Sequence, residues 1–158
     1  MVGMSANCWP LVHVQTPIVA TDSIGIKILL FPPEAAAAEL NKIPKYKDNG
    51  MWPPYPGINE CFSKYESAVA MEIGSSALII AAGYKLDVML SSYHSSELVV
   101  CGDNRPDFMR MGTYYGISYH PFETIFFKTT RAHDAKVLDR YTEWADGRNY
   151  SSYEFCKG

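Results

Sequence analysis

The chain has 158 residues, a formal net charge of −3 at pH 7 and a hydrophobic content of 47%, which excludes an intrinsically disordered protein. Its lysines and arginines form no run longer than an isolated pair, and this argues against nucleic acid or a charged membrane surface as a partner. No stretch reaches the roughly 20 apolar residues of a membrane span. The length predicts a single domain over residues 1–158.

The four cysteines, Cys8, Cys61, Cys101 and Cys156, form no C-x-x-C pair, so zinc-ribbon or thioredoxin-type chemistry has no support. Four cysteines allow two disulfides, with three connectivities. The first ten residues, MVGMSANCWP, lack the basic and apolar regions of a secretory signal. The sequence therefore favours reduced thiols and a cytoplasmic location.

The first predicted element is a strand over residues 11–20, which alternate and are rich in valine. This strand is expected to end near Pro17 or shortly after. Side chains alternate between the two faces of a strand, so His13 and Gln15 share one face. Few strands and several helices along the chain predict an α/β fold.

Two helices are expected next. Residues 21–31 predict a short helix that Thr21 or Asp22 caps, because a side-chain oxygen at that position accepts from free backbone N–H groups. Residues 32–43 predict a second helix, in which a proline pair and Glu34 suit the first turn.

A proline-rich loop and a long helix form the middle of the chain. Residues 44–58 contain four prolines and two glycines and predict a loop, whose Trp52 and Tyr55 either pack on the core or stack on a ligand. Residues 59–82 predict the long helix. Gly83 is expected to end it in the left-handed conformation.

The last two predicted elements are a strand and a helix. Residues 120–131, HPFETIFFKTTR, are rich in aromatic and β-branched residues and predict a strand. Residues 134–146 predict a helix capped by Asp134. Its apolar stripe is expected to be buried: Val137, Leu138, Tyr141 and Trp144.

A glutamate lies within the apolar stripe of the long helix. On a helical wheel, Glu72 and Ser76 fall among the apolar residues of one face: Cys61, Phe62, Tyr65, Val69, Ile73, Ile79 and Ile80. Burying an unpaired carboxylate costs several kcal/mol. One interpretation is that Glu72 bridges neighbouring backbone groups. The other is that this face borders a cleft, where Glu72 is a general base near neutral pH and Ser76 is its hydrogen-bonding partner.

A second group of polar residues surrounds the predicted strand 120–131. His120 precedes the strand and is either a ligand for a metal or phosphate, or a packed or surface histidine. Glu123 enters the strand, and Lys128 and Arg131 leave it. The two cations suit a diphosphate, although surface charges at the end of a strand explain them equally.

Three segments, taken in order, resemble the later half of a GT-A-like glycosyltransferase family related to rhamnan-synthesis-F-type polysaccharide proteins. They are a strand of the form H-[VL]-Q-[ST], a helix with E-x-x-x-S before A-G-[YF], and a segment [HN]-P-[FY]-E-x-x-F-x-K. The resemblance spans residues 2–131. The matching positions are His13, Gln15, Thr16, Glu72, Ser76, Gly83, Tyr84, His120, Pro121, Phe122, Glu123, Phe126 and Lys128.

The resemblance implies a GT-A-like, Rossmann-like α/β fold that transfers a sugar from a nucleotide-sugar donor to a glycan or polysaccharide acceptor. It implies that Glu72 is the catalytic base. His120 would help to hold the donor diphosphate or its Mn²⁺ or Mg²⁺ ion. The expected substrate-binding residues are His13, Gln15, Ser76, Glu123, Lys128 and Arg131.

The chain departs from this family in one respect. Enzymes of this fold bind the nucleotide on an N-terminal βαβ half and hold the metal with Asp-x-Asp, a motif that the sequence lacks. The sequence therefore predicts either a part of a larger enzyme or a chain that needs a donor-binding partner. One alternative is a non-catalytic glycan-binding or interaction module. Another is a structural subunit that docks through an exposed sheet edge at residues 3–8.

Overall fold

The computed structural model describes residues 1–9, 11–40, 42, 57–59, 61, 65–91, 107–120, 123–131, 134–149 and 151–157. Most of the predicted loop 44–58, with Trp52 and Tyr55, lies outside these ranges. The described elements form a mixed α/β structure. In chain order they are β1 (Val2–Gly3), β2 (Ala6–Asn7), β3 (His13–Val14), β4 (Val19–Ala20), α1 (Ser23–Leu30), α2 (Glu34–Leu40), α3 (Tyr65–Ala81), β5 (Asp87–Val88), α4 (Ala135–Gly147) and α5 (Ser152–Phe155).

The strands form two small sheets. In the first sheet β1 is central, antiparallel to β4 and parallel to β5. In the second sheet β2 and β3 are antiparallel, with Ala6 opposite Val14 and Asn7 opposite His13. The strand predicted over residues 11–20 is therefore two short strands in different sheets, separated by a turn at residues 16–18. Proline lacks the N–H that a continuous ladder needs, which explains the interruption.

The sheet edge expected at residues 3–8 is not exposed, and this expectation was wrong. Strand β1 is hydrogen-bonded on both sides, and Gly3 to Ala6 are buried. Asn7 of β2 also bridges to Asp107 on the side away from β3. Because these backbone groups are already paired, they do not offer an edge for strand addition.

The predicted helix boundaries are largely confirmed where local capping signals specify them. The Asp22 carboxylate accepts from the N–H groups of Ile24 at 3.1 Å and Gly25 at 2.8 Å, and α1 begins directly after it. Asp134 accepts from the Lys136 N–H at 2.9 Å at the start of α4. Helix α3 ends before Gly83, whose φ of +86° is the left-handed conformation that favours glycine.

The core surrounds the second half of α3, which contacts α1, α2 and β3. Ile73 to Ile79 are all buried, so this part of the helix is enclosed on every side. Tyr65 and Ile80, which the helical wheel placed on the apolar face, are instead exposed. The largest fully buried apolar side chains are Met4, Val14, Leu78, Ile79, Val88, Leu90, Met109 and Tyr119.

The strand predicted over residues 120–131 is absent from its described part, residues 123–131, and this prediction was wrong. The Glu123 N–H donates to the His120 carbonyl at 2.9 Å, and the Arg131 N–H donates to the Lys128 carbonyl at 3.3 Å, so both ends of the segment are turns. Ile125 is 68% exposed. Residues with high strand propensity form a strand only when a neighbouring strand pairs with them, and no described strand pairs with this segment.

Helix α4 forms as predicted, but its apolar stripe is not buried. None of its residues is fully buried, and Trp144 is 45% exposed. Tyr141 makes ring contacts with His120 at 5.8 Å and with Phe127 at 6.0 Å between centroids. Tyr141 therefore packs α4 against His120 and Phe127.

Cys8 is disulfide-bonded, which contradicts the expectation of reduced thiols. Cys61 and Cys156 are free and exposed. Thiol spacing along a sequence does not reveal which cysteines the fold brings together, and this explains the error. Among the helices of the described ranges, none has both the length and the apolar character needed to cross a membrane.

Candidate functional site

A cavity of about 550 Å³ opens between β3, the first half of α3 and the segment that begins at Asp107. His13 and Gln15 line it from the β3 side, and Arg131 and Asn7 lie at its ends. The α3 residues that line it recur at helical spacing: Tyr65, Val69, Glu72 and Ile73. Asp107, Arg110 and Thr113 line it from the segment that begins at Asp107.

Glu72 and Ser76 attach α3 to the backbone of β3 and of Thr16, two residues beyond the strand. The Val14 N–H donates to Ser76 Oγ at 3.0 Å, and the Thr16 N–H donates to Glu72 Oε1 at 3.3 Å. The intervening Gln15 N–H points to the other side, where it donates to the Ser5 carbonyl at 2.8 Å. Side chains four apart on a helix thus match N–H groups two apart along an extended backbone. The E-x-x-x-S spacing therefore has a structural role.

Glu72 is nevertheless only half-buried, and it lines the cavity. Its Oε1 atom is the one that accepts from the Thr16 N–H. The carboxylate is therefore neither sealed in the core nor free in solvent. This geometry fits both interpretations of Glu72, because its carboxylate accepts from the backbone and also borders a cleft.

Asp107 is the centre of a hydrogen-bond network on the cavity wall. Its Oδ1 atom accepts from Gln15 Nε2 at 2.9 Å and from the Met109 N–H at 3.0 Å. Its Oδ2 atom lies 3.4 Å from Arg131 Nη1. Gln15 also accepts from the Ser5 hydroxyl, so its amide is oriented at both ends. This network joins β3 to two segments that are distant in the sequence.

His13 is buried on β3, and its Nδ1 atom lies 2.8 Å from the Leu11 carbonyl oxygen. Burial lowers the pKa of His13 because desolvation disfavours the charged imidazolium. The hydrogen bond to Leu11 and the charges of Glu72 and Asp107 oppose that decrease in pKa. The imidazole is therefore neutral at neutral pH.

Two exposed aromatic side chains lie at the rim of the cavity. Trp9 is 59% exposed and Tyr65 is 80% exposed, and both line the cavity. Arg110 also lines it and is exposed. The cavity thus combines flat apolar rings at its entrance with carboxylate, amide, imidazole and guanidinium groups inside. These groups suit a ligand that has both apolar faces and many hydroxyls.

The structure brings together part of the predicted site. Glu72, His13, Gln15 and Arg131 all line the one cavity, although they come from three separate segments of the chain. Ser76 does not line it, because this residue is fully buried and its hydroxyl accepts from the backbone of β3.

The remaining predicted residues lie outside this cavity. Glu123 Oε2 accepts from the Tyr114 hydroxyl at 2.9 Å and from the Ser91 hydroxyl at 3.1 Å. Neither His120 nor Lys128 is among the residues that line the cavity. His120 is exposed and contacts the Tyr141 ring edge-on.

Within the part of the chain that the structure describes, no three His, Cys, Asp or Glu side chains come together in a way that would hold a metal ion. His120 contacts the Tyr141 ring edge-on. The described residues therefore do not form the ligand set that a Mn²⁺ or Mg²⁺ ion prefers, which consists of several oxygen donors.

Sequence reasoning missed several residues of the cavity, among them Trp9, Asp107 and Arg110. Asp107 ends the polar sequence CGDNRPD, and nothing in that sequence distinguishes it from a solvent-exposed aspartate. Arg110 carries no local signal either. Trp9 stands next to a proline outside the predicted elements, and a large aromatic residue at such a place is a usable signal for ligand contact.

Comparisons with known proteins give no match: no family model, no curated protein and no solved structure matches this chain. The resemblance to a glycosyltransferase family therefore depends on the three sequence segments alone.

Proposed function

We propose that this chain forms the acceptor-binding side of a glycosyltransferase. In this proposal a sugar moves from a nucleotide-sugar donor to a hydroxyl of a glycan or polysaccharide bound in the cavity. The acceptor hydroxyl must lose a proton during transfer, so the site needs a proton acceptor within hydrogen-bond reach. Glu72, the carboxylate that the sequence predicts for this step, lines the cavity and takes part in this proton transfer in the proposal.

The observation that carries the proposal is the composition of the cavity wall. A half-buried carboxylate, a buried imidazole and an oriented amide converge there beneath two exposed aromatic rings. Aromatic rings contact the apolar C–H faces of a sugar, and the polar groups match its hydroxyls. The cavity volume of about 550 Å³ also falls within the usual range of ligand sites, about 300–1,000 Å³.

The proposal assigns donor binding to another part of the enzyme. The sequence lacks Asp-x-Asp, and the small sheets of the described residues are compatible with a GT-A-like fold that is completed by a donor-binding half or a partner chain. A Mn²⁺ or Mg²⁺ ion would accompany the donor diphosphate there. His120, Glu123 and Lys128 remain predicted residues for the donor side.

The cytoplasmic location also remains a prediction. Polysaccharide synthesis from nucleotide sugars is compatible with it, but the disulfide of Cys8 favours an oxidising compartment.

Glu72→Gln tests the proposal. Glutamine keeps an oxygen that can accept from the Thr16 N–H, so the variant removes the charge while it preserves the contact with β3. We expect transfer to a glycan acceptor to fall by about 10²-fold or more, the usual effect of removing one preorganised electrostatic group. Glu143→Gln is a matched control, because Glu143 is exposed on α4.

The measurement is transfer of a labelled sugar from UDP-, GDP- and TDP-sugars in the presence of Mn²⁺ or Mg²⁺, with circular dichroism to verify folding. Equal rates of transfer by the Glu72→Gln and Glu143→Gln variants would show that Glu72 takes no part in the reaction. The assay uses this chain together with its donor-binding half or partner chain, and absence of transfer by that complete enzyme with every donor would contradict the proposed function itself.

A non-catalytic glycan-binding module is the second candidate, favoured by the exposed rings of Trp9 and Tyr65. Calorimetric titration with glycans and with nucleoside diphosphates separates the two. Glycan binding that is lost in Trp9→Ala, without nucleotide binding or transfer, would favour the module. Binding of glycan by this chain and of nucleotide by the complete enzyme, with its donor-binding half or partner chain, would favour the transferase.

A further inference from the structure

The hydrogen bond of His13 fixes which ring nitrogen carries the proton. A backbone carbonyl oxygen only accepts, so Nδ1, 2.8 Å from the Leu11 oxygen, must be the protonated nitrogen of the neutral ring. The other nitrogen, Nε2, then holds a lone pair. Nε2 has no hydrogen-bond partner among the described residues, and His13 lines the cavity. A ligand hydroxyl in the cavity thus has a neutral imidazole acceptor available to it.

Both carboxylates that share the cavity with His13 already accept hydrogen bonds. Both oxygens of Asp107 have partners, namely Gln15 and the Met109 N–H on one side and Arg131 on the other. Proton transfer to Asp107 would disrupt this network. Glu72 accepts from the Thr16 N–H, which ties its carboxylate to the backbone. Proton transfer to Glu72 would weaken this bond, even though its Oε2 atom has no described partner, whereas His13 Nε2 can accept a proton without the loss of a hydrogen bond.

The charges around His13 suit a group that gains a proton during the reaction. Glu72 on α3 and Asp107, which is hydrogen-bonded to Gln15, both favour the imidazolium. Two cations also line the cavity, Arg110 and Arg131, of which Arg131 is paired with Asp107. Burial keeps the ring neutral beforehand, and the carboxylates stabilise the charge once it forms.

We propose that His13 is the catalytic base of this site, and that Glu72 acts through it by stabilising the protonated ring. The inference rests on the function proposed above. The proton of the acceptor hydroxyl moves to His13 Nε2, and the oxygen forms the new bond to the anomeric carbon of the donor sugar. The bond between that carbon and the diphosphate oxygen breaks, and its electron pair stays on the diphosphate. The imidazolium then releases its proton to water.

The test is the pH dependence of sugar transfer in the protein and in three variants: His13→Asn, Glu72→Gln and the double variant. Asparagine can still donate to the Leu11 carbonyl but offers no proton acceptor at the position of Nε2. We expect His13→Asn to lower kcat by about 10²–10⁴-fold, the usual contribution of a general base, with a small change in KM. The double variant should be no slower than His13→Asn, because both changes act on one proton transfer.

The pH profile distinguishes a base from a positioning residue. In the unmodified protein the rate should fall on the acidic side as His13 becomes protonated. Glu72→Gln should keep this decline but move its midpoint to lower pH, because a lost negative charge lowers the pKa of the ring. His13→Asn should lose the decline. Added imidazole should restore part of the rate in His13→Ala, and the recovery should follow the protonation state of imidazole.

Several outcomes would overturn the inference. Full activity of a folded His13→Asn variant would do so while leaving the proposed function intact. Persistence of the acidic decline in His13→Asn, together with its loss in Glu72→Gln, would make Glu72 the base. Failure of imidazole to restore any rate in a folded His13→Ala variant would reduce His13 to a positioning role. A lack of transfer by the unmodified protein would overturn the proposed function and, with it, this inference.

Discussion

Helices α3 and α4 show opposite relations between sequence pattern and burial. The α4 sequence has a regular apolar stripe, yet none of its residues is fully buried. The second half of α3 has glycine and serine among its apolar residues, yet Ile73 to Ile79 are buried on all sides. Helix α3 lies against α1, α2 and β3, whereas the contacts of α4 described above are aromatic contacts of Tyr141.

The difference teaches that an apolar stripe predicts a helix and the face that could be buried, but not what covers that face. Burial depends on elements that are remote in the sequence. Polar residues on α3 are tolerated because the neighbouring backbone supplies their hydrogen bonds, as it does for Ser76. Changes placed in equivalent positions of the two regions test this interpretation.

The largest effect is expected from shortening a core leucine. Leu78 of α3 is fully buried, so Leu78→Ala should lower the free energy of unfolding by about 3 kcal/mol through lost burial and a residual cavity. Leu138 of α4 is only half-buried, so Leu138→Ala should cost less than about 1 kcal/mol. Urea denaturation measures both values. Equal decreases in the free energy of unfolding would mean that α4 is as well packed as α3, contrary to the difference in burial between the two helices.

Two adjacent buried serines of α3 offer a sharper test. Ser76 Oγ accepts from the Val14 N–H of β3, whereas Ser75 Oγ donates at 2.8 Å to the Met71 carbonyl of its own helix. Ser76→Ala leaves a buried N–H unpaired and should cost about 1–3 kcal/mol. Ser75→Ala removes no other group's only partner, so its cost should be well below that of Ser76→Ala. Urea denaturation measures both losses of stability. A larger loss in Ser75→Ala than in Ser76→Ala would show that the hydrogen bond between α3 and β3 contributes little to stability.

Changing the pH tests the α3 region without changing its sequence. The pKa of His13 is lowered from 6.5 in the folded protein, so the unfolded chain binds a proton first as the pH falls. The stability should therefore be fully present above pH 6.5 and should decrease as the pH falls from there toward the folded pKa. His13→Asn should reduce this dependence. Urea denaturation at a series of pH values measures it, and an unchanged slope in the variant would argue against a buried neutral imidazole.

Local signals specified the helices well. Asp22 and Asp134 cap α1 and α4, and Gly83 follows the end of α3, because each of these effects acts within one turn of the helix. The strands were specified poorly. Residues 123–131 have the composition of a strand but no described partner, while the two-residue strands β1 to β5 give too short a pattern to detect.

The sequence alone determined the main helices and the mixture of helices and strands, and it drew attention to Glu72 as a carboxylate among apolar residues. Only the tertiary structure placed His13, Glu72, Asp107 and Arg131 around one cavity. The hydrogen bond from Gln15 to Asp107 joins residues 92 positions apart, and no periodicity in the chain encodes such a contact. Helical propensity and capping act between near neighbours, whereas a binding cavity is made by the packing of remote segments.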